Sequence, residues 1–244
     1  MRVAIMIAVA LGLAVVVILF FQIPPTATAA PELRLSSDPF PLAVGRTKLT
    51  FTLTDHTGDP VQGASVSVVA SKNAMGTLPL RGRGQETAAG RYDLELIWPM
   101  IGTWTLEVSA TAPNQDEPLV EQYEVFIYPV SPQVSDDTAS YRSVREINSL
   151  VDDPTREKLI YIPLGTEALI RSGHGDDVIP EYILLEVDGQ NTLVIHNDDL
   201  ADHTIGPFFV RSAEAVRQTF REPAVFQGTC SINNASLVNI VVEE

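Results

Sequence analysis

His203 and Cys230 are the two side chains whose types invite chemistry together. The imidazole follows Asp202 in the turn DHTIGP, and the thiol, the only one in the chain, sits in the loop ahead of the closing run SLVNIVVE. One cysteine forms no intrachain disulfide, so the fold must rest on its core. Three readings of Cys230 stay open at this level: a small buried hydrophobe, a metal ligand, or, in an exported chain, a thiol open to oxidation. His203 either hydrogen-bonds within its turn or acts as a ligand. As a ligand it would need an acceptor for its other ring nitrogen, and Asp199, Asp202 or a backbone carbonyl lies within reach. His196 falls mid-strand, and His56 is an ordinary turn residue beside Asp55. No G-x-S-x-G elbow, H-E-x-x-H, P-loop, dinucleotide fingerprint or C-x-x-C occurs. Asp176-Asp177 and Asp198-Asp199 read as turn formers rather than catalytic dyads. The chain is therefore expected not to be an enzyme.

Composition narrows the partners. The 244 residues suffice for two ordinary domains plus a targeting segment, and 45% apolar residues describe a folded chain. Lys+Arg 16 against Asp+Glu 31 leaves a net charge of -15, a surface that repels nucleic acid and anionic lipid headgroups.

The elements that must position the candidates come after an apolar start. Val3 to Ile23 is apolar except for Gln22, long enough to span roughly 30 Å of hydrocarbon. Residues 1–24 are expected to form an uncleaved transmembrane anchor. Ala27-Thr28-Ala29 keeps a cleaved signal peptide as the alternative. With Arg2 ahead of the run and the acidic bulk behind it, the expected location is the cell membrane, single-pass, with the bulk extracytoplasmic.

Residues 31–130 read as short strands separated by turns. Leu49-Phe51-Leu53, Leu94-Leu96 and Trp104-Leu106-Val108 alternate with polar neighbours, so each strand has one buried face. Strands at this spacing predict an immunoglobulin-type β-sandwich. Trp104 is expected in its core and Trp98, beside Pro99, at its edge. The hairpin DHTGDPVQGASV from Asp55, the Met75-Gly76 pair, the Gly90-Arg91-Tyr92 strand opening and Met100-Ile101-Gly102-Thr103-Trp104 together resemble the YtkA-like/FixH-like family. That resemblance implies a membrane-tethered extracytoplasmic module, with some members linked to respiratory oxidase assembly and copper handling. Met75 and Met100 are thioethers that could face Cu(I), or simply fill the core and loops.

Residues 131–155 form a polar, acidic linker in which Val144, Ile147, Leu150 and Val151 fall at helical spacing, predicting one short helix at the domain junction. Residues 156–244 read as a second all-β, Greek-key domain. LVIHNDDLADHTIGPFFV followed by FQGTCSINNASLVNIVVEE resembles the cupredoxins, in which a strand-end histidine and the cysteine of the last loop converge on copper. The resemblance implies His203 and Cys230 as ligands. It also implies a second histidine and usually a methionine after the cysteine, whereas Ser231 to Leu237 contains neither. His174, between two glycines, is the candidate for the missing ligand. The fold class expected is thus all-β, with two sandwiches behind one helix.

Three functions follow as expectations. The first is a tethered cupredoxin-like protein that binds copper transiently, in copper delivery or assembly of a respiratory membrane complex. A metal-free interaction module of such a complex is the second. An electron carrier comes third, because a blue-copper site needs a second histidine.

Overall fold

The computed structural model describes residues 31–72, 77–113, 115–130, 140–175, 178–233 and 237–244. The expected anchor, Met75, Asp176-Asp177 and the first part of the linker lie outside these residues. Buried apolar side chains fall into two cores, one drawn from Leu33 to Ile127 and the other from Ile160 to Val242. The chain is all-β, as expected.

The first core lies between two four-stranded antiparallel sheets. One contains β1 (Glu32–Asp38), β2 (Gly45–Thr54), β6 (Arg91–Trp98) and β5 (Gln85–Ala88), in that order. The other runs β4 (Leu80–Arg83), β3 (Ser65–Ser71), β7 (Gly102–Thr111) and β8 (Leu119–Ile127). The period-two pattern holds: Leu49, Phe51 and Leu53 of β2 and Trp104, Leu106 and Val108 of β7 all turn inward. Trp98 corrects the expectation of an edge position. It is 1% exposed and meets Trp104 edge-on at 5.4 Å, because it ends the inward-facing series Tyr92, Leu94, Leu96.

Two strands escaped the pattern reading, since β4 and β5 are short, polar and largely exposed. Together they make a corner. The stretch leaves one sheet at Gly84 and joins the other, and a Cβ at Gly84 would lie 3.2 Å from the Cβ atoms of both Val66 and Tyr92.

The junction contains the expected short helix, Val144–Asn148. Ser143 accepts from Glu146 N while the Glu146 carboxylate accepts from Ser143 N, a reciprocal cap. Arg145 pairs with the buried Glu121 of β8, which fastens the helix to the first sandwich.

In the second unit, β9 (Glu157–Ile162) pairs parallel with β11 (Thr192–Asn197), whose other edge carries β14 (Ala215–Thr219). Facing them, β16 (Leu237–Glu243) lies between β10 (Tyr182–Glu186), parallel to it, and β15 (Ala224–Thr229). β12 (His203–Ile205) and β13 (Phe208–Val210) form a small ribbon. Val238, Ile240 and Val242 share one buried face, as their alternation predicts. After β9, Thr166–Arg171 forms a short helix. Pro163 and Gly165 break the strand, and the helix starts from a left-handed Gly165 at φ +89°.

Candidate functional site

Asn197 shapes the turn that carries the site. Its buried side-chain amide donates to the carbonyls of Ala201, Val210 and Arg211, and its Oδ1 accepts from Asp199 N at 2.9 Å. The chain therefore folds back over residues 198–202 and enters β12 with alternate residues inward: His203 and Ile205 are buried, and Thr204 is not. Ile205 bridges Cys230, with Ser231 N donating to Thr204 O at 2.9 Å and Gly206 N to Thr229 O at 3.0 Å on either side. Residues opposite one another across an antiparallel pair share a face, so Cys230 points to the same interior as Ile205 and His203. His203 and Cys230 are then diagonal neighbours, a relation worth about 7–8 Å between backbones.

Both side chains are enclosed. Cys230 is fully buried with Ile205, Ile232 and Ile240 in the second core. The His203 ring sits 2.7 Å through Nε2 from Asp199 Oδ2, and its Nδ1 lies 3.4 Å from Ser231 Oγ. Of the acceptors expected for this ring, Asp199 is the one used; Asp202 instead accepts from Ser212 N at 2.9 Å. A carboxylate only accepts, so in the neutral imidazole Nε2 carries the hydrogen and Nδ1 keeps its lone pair. That lone pair faces the Cys230 loop. Imidazole nitrogen and thiolate are both donors that suit a soft cation such as Cu(I), and here Asp199 orients the ring while Ser231 Oγ is the neighbour of Nδ1.

His174 is placed elsewhere. Its ring lies 5.7 Å from that of Phe126 in β8, and Nδ1 is 3.3 Å from Ser172 Oγ. Only its backbone neighbour approaches the cysteine loop, where a Cβ on Gly175 would run into the Ile232 carbonyl. Among the described residues no group of three or more His, Cys, Asp and Glu is arranged to hold a metal ion. Met100 is partly exposed, and its carbonyl accepts from Trp104 Nε1 at 3.4 Å.

A second constellation lies beside the first. Asp198 accepts from Arg142 Nε at 2.7 Å and Nη2 at 3.2 Å and from the Tyr161 hydroxyl at 2.7 Å, while His196 Nε2 is 2.8 Å away. Burial alone would raise the Asp198 pKa. Hydrogen bonds from Arg142 and Tyr161, and the Arg142 charge, outweigh it and hold the carboxyl below its ordinary range. Arg142 is pushed up by the same bond, and burial followed by Asp198 pushes the Tyr161 phenol up. This group borders a cleft of about 300 Å³ between the sandwiches, lined also by Pro41, Phe126, Tyr128, Tyr141 and Leu200. The sequence signal was an acid pair directly after TLVIHN, a strand with hardly an exposed residue. Both acids sit in a turn, yet each is committed to partners more than thirty residues away.

The fold and site define an all-β protein of two sandwiches with a buried imidazole and thiol in the second. A family model described as YtkA-like matches residues 30–109, which cover most of the first sandwich. The chain matches none of the curated proteins. Among solved structures, the PmoD soluble domain from Methylocystis sp. is 12% identical, at a TM-score of 0.28, over 40% of this chain and 90% of that one. A superoxide reductase (neelaredoxin) from Ignicoccus hospitalis is 10% identical, at 0.28, over 41% and 80%. A Cu-containing nitrite reductase from Thermus scotoductus is 14% identical, at 0.18, over 84% and 60%. Likenesses at these scores add nothing to what the strands and the site already establish.

Proposed function

We propose that the chain is a membrane-tethered, extracytoplasmic module whose second sandwich takes up copper transiently, as Cu(I), between the Cys230 thiolate and His203 Nδ1. Its place would be in copper delivery or in the assembly of a respiratory membrane complex. The observation that carries this reading is the His203 ring, held through Nε2 by Asp199 with Nδ1 turned to the cysteine loop, where Ser231 Oγ is its neighbour at 3.4 Å. The YtkA-like match over the first sandwich supports the extracytoplasmic, tethered part. Copper, when bound, supplies a soft cation to be carried, and no catalysis is assigned to the chain. Cys230 would lose its proton on binding, and His203 would contribute a neutral nitrogen.

Titration of residues 31–244 with Cu(I) against a chromophoric chelator tests this. Capture should be abolished in Cys230→Ser and weakened in His203→Ala. Absence of capture by the native chain overturns the reading and leaves a metal-free interaction module. The full burial of Cys230 in an apolar core is the observation that favours this second reading.

A further inference from the structure

Gly165 belongs to two networks at once. Its carbonyl accepts the Tyr128 hydroxyl of the first sandwich at 2.8 Å, and its N–H donates to Asp199 Oδ1 at 2.9 Å. At φ +89° a side chain would be strained, and its Cβ would crowd Pro41 Cγ at 3.0 Å and the Tyr128 oxygen at 3.2 Å. The first sandwich therefore meets the second here through side chains set on bare backbone. On its far side Asp199, 2% exposed, receives Glu167 N at 2.8 Å and His203 Nε2 at 2.7 Å on Oδ2.

Asp199 thus faces three N–H groups. A carboxylate satisfies all three because both of its oxygens accept. A side-chain amide of the same shape has one oxygen, and its NH₂ must face at least one of the three hydrogens. Gly165 N uses one oxygen, and Glu167 N shares the other with the imidazole, so either orientation of that amide weakens the hold on the ring or sets NH₂ against a backbone hydrogen.

We propose that Asp199, set by the first sandwich through Tyr128 and Gly165, is the positioning residue that fixes His203 as the Nε2–H tautomer and so aims Nδ1 at the Cys230 loop. Its consequence for Cu(I) rests on the copper reading above, while the tautomer does not. The first sandwich then has a part in the site without contributing a ligand, because the Tyr128 hydroxyl holds the turn from which Asp199 is oriented.

The experiment uses residues 31–244 with ¹⁵N-labelled histidine and two readouts. In the metal-free protein, at a pH where the ring is neutral, long-range nitrogen–proton correlations should place the His203 hydrogen on Nε2. In Asp199→Asn the Nε2–H resonance should move upfield, because an amide oxygen accepts more weakly than a carboxylate, or the hydrogen should pass to Nδ1 where NH₂ faces the ring; a resonance left where it was overturns the proposal. Tyr128→Phe, which removes a single oxygen, should keep the Nε2–H but shift its resonance, and an unmoved resonance overturns the role of the first sandwich. In the Cu(I) competition, Asp199→Asn should bind about 10–100-fold more weakly. Equal affinity despite a changed ring signal overturns the positioning role. Failure of the native chain to bind Cu(I), with the ring signal responding as expected, removes the copper reading and supports the control of the ring by Asp199.

Discussion

Arg142 grips Asp198 with two nitrogens, Nε at 2.7 Å from Oδ2 and Nη2 at 3.2 Å from Oδ1, across fifty-six positions of sequence. The pair ties the junction segment to the turn after β11. Because the folded Asp198 carboxyl is held below its unfolded value of about 3.9, its contribution is fully present above that pH and drains away as pH falls through the lower, folded value. Asp198→Asn should flatten this part of the acid limb of the stability curve. At neutral pH the loss should be about 1–2 kcal/mol, moderate because the Arg142 side chain is one-third exposed. Urea denaturation at a series of pH values measures both effects, and an unchanged acid limb in the variant would contradict the assignment.

Gly165 offers a sharper test of the seam. Alanine there would need a left-handed backbone and would press against Pro41 and the Tyr128 hydroxyl. Gly165→Ala should cost about 1–3 kcal/mol, far more than the same change at Gly173, which has a similar φ but open space around it. Comparing the two variants in the same unfolding experiment separates crowding at the seam from backbone strain alone.

Cu(II) should give no intense blue thiolate-to-copper absorption, since one imidazole and one thiolate leave its usual set incomplete. Cu(I) capture should release a proton and weaken as pH falls, because the thiolate is the ligand. It should be indifferent to Met75→Leu with Met100→Leu. Optical titration with each copper ion reads this directly. A strong blue band would mean that the chain recruits a further ligand and would promote the electron-carrier reading.

Topology is tested on the full chain. Protease added to sealed, right-side-out vesicles should digest both sandwiches if residues 1–24 hold them outside the cytoplasm. Complete protection would contradict that placement.

Much of this architecture was legible where one physical rule dominates. Leu49-Phe51-Leu53 and Val238-Ile240-Val242 show alternation because each strand has one buried face, and the structure buries them accordingly. β4 and β5 were invisible because strands exposed along most of their length need no apolar series. The helix at Thr166 was hidden by its shortness: a six-residue helix offers too little periodicity to register against the strand before it. In the site, the types at His203 and Cys230 were readable, and Asp199 was among the acceptors expected for the ring. The bonds of Asp198 to Arg142 and Tyr161, and of Tyr128 to Gly165, were not. Such contacts depend on which turn lies against which sheet, and nothing local in the chain encodes that.

The burial of Cys230 also governs time. A thiol with no solvent-facing surface reacts only through local opening of the second core, so copper exchange would be limited by that opening rather than by diffusional encounter. The same enclosure keeps the chain's single sulfhydryl away from peroxides and from mixed disulfides in an oxidising compartment. Maleimide labelling of the native protein should accordingly be slowed in proportion to the fraction of time the thiol is closed, and become fast only in denaturant.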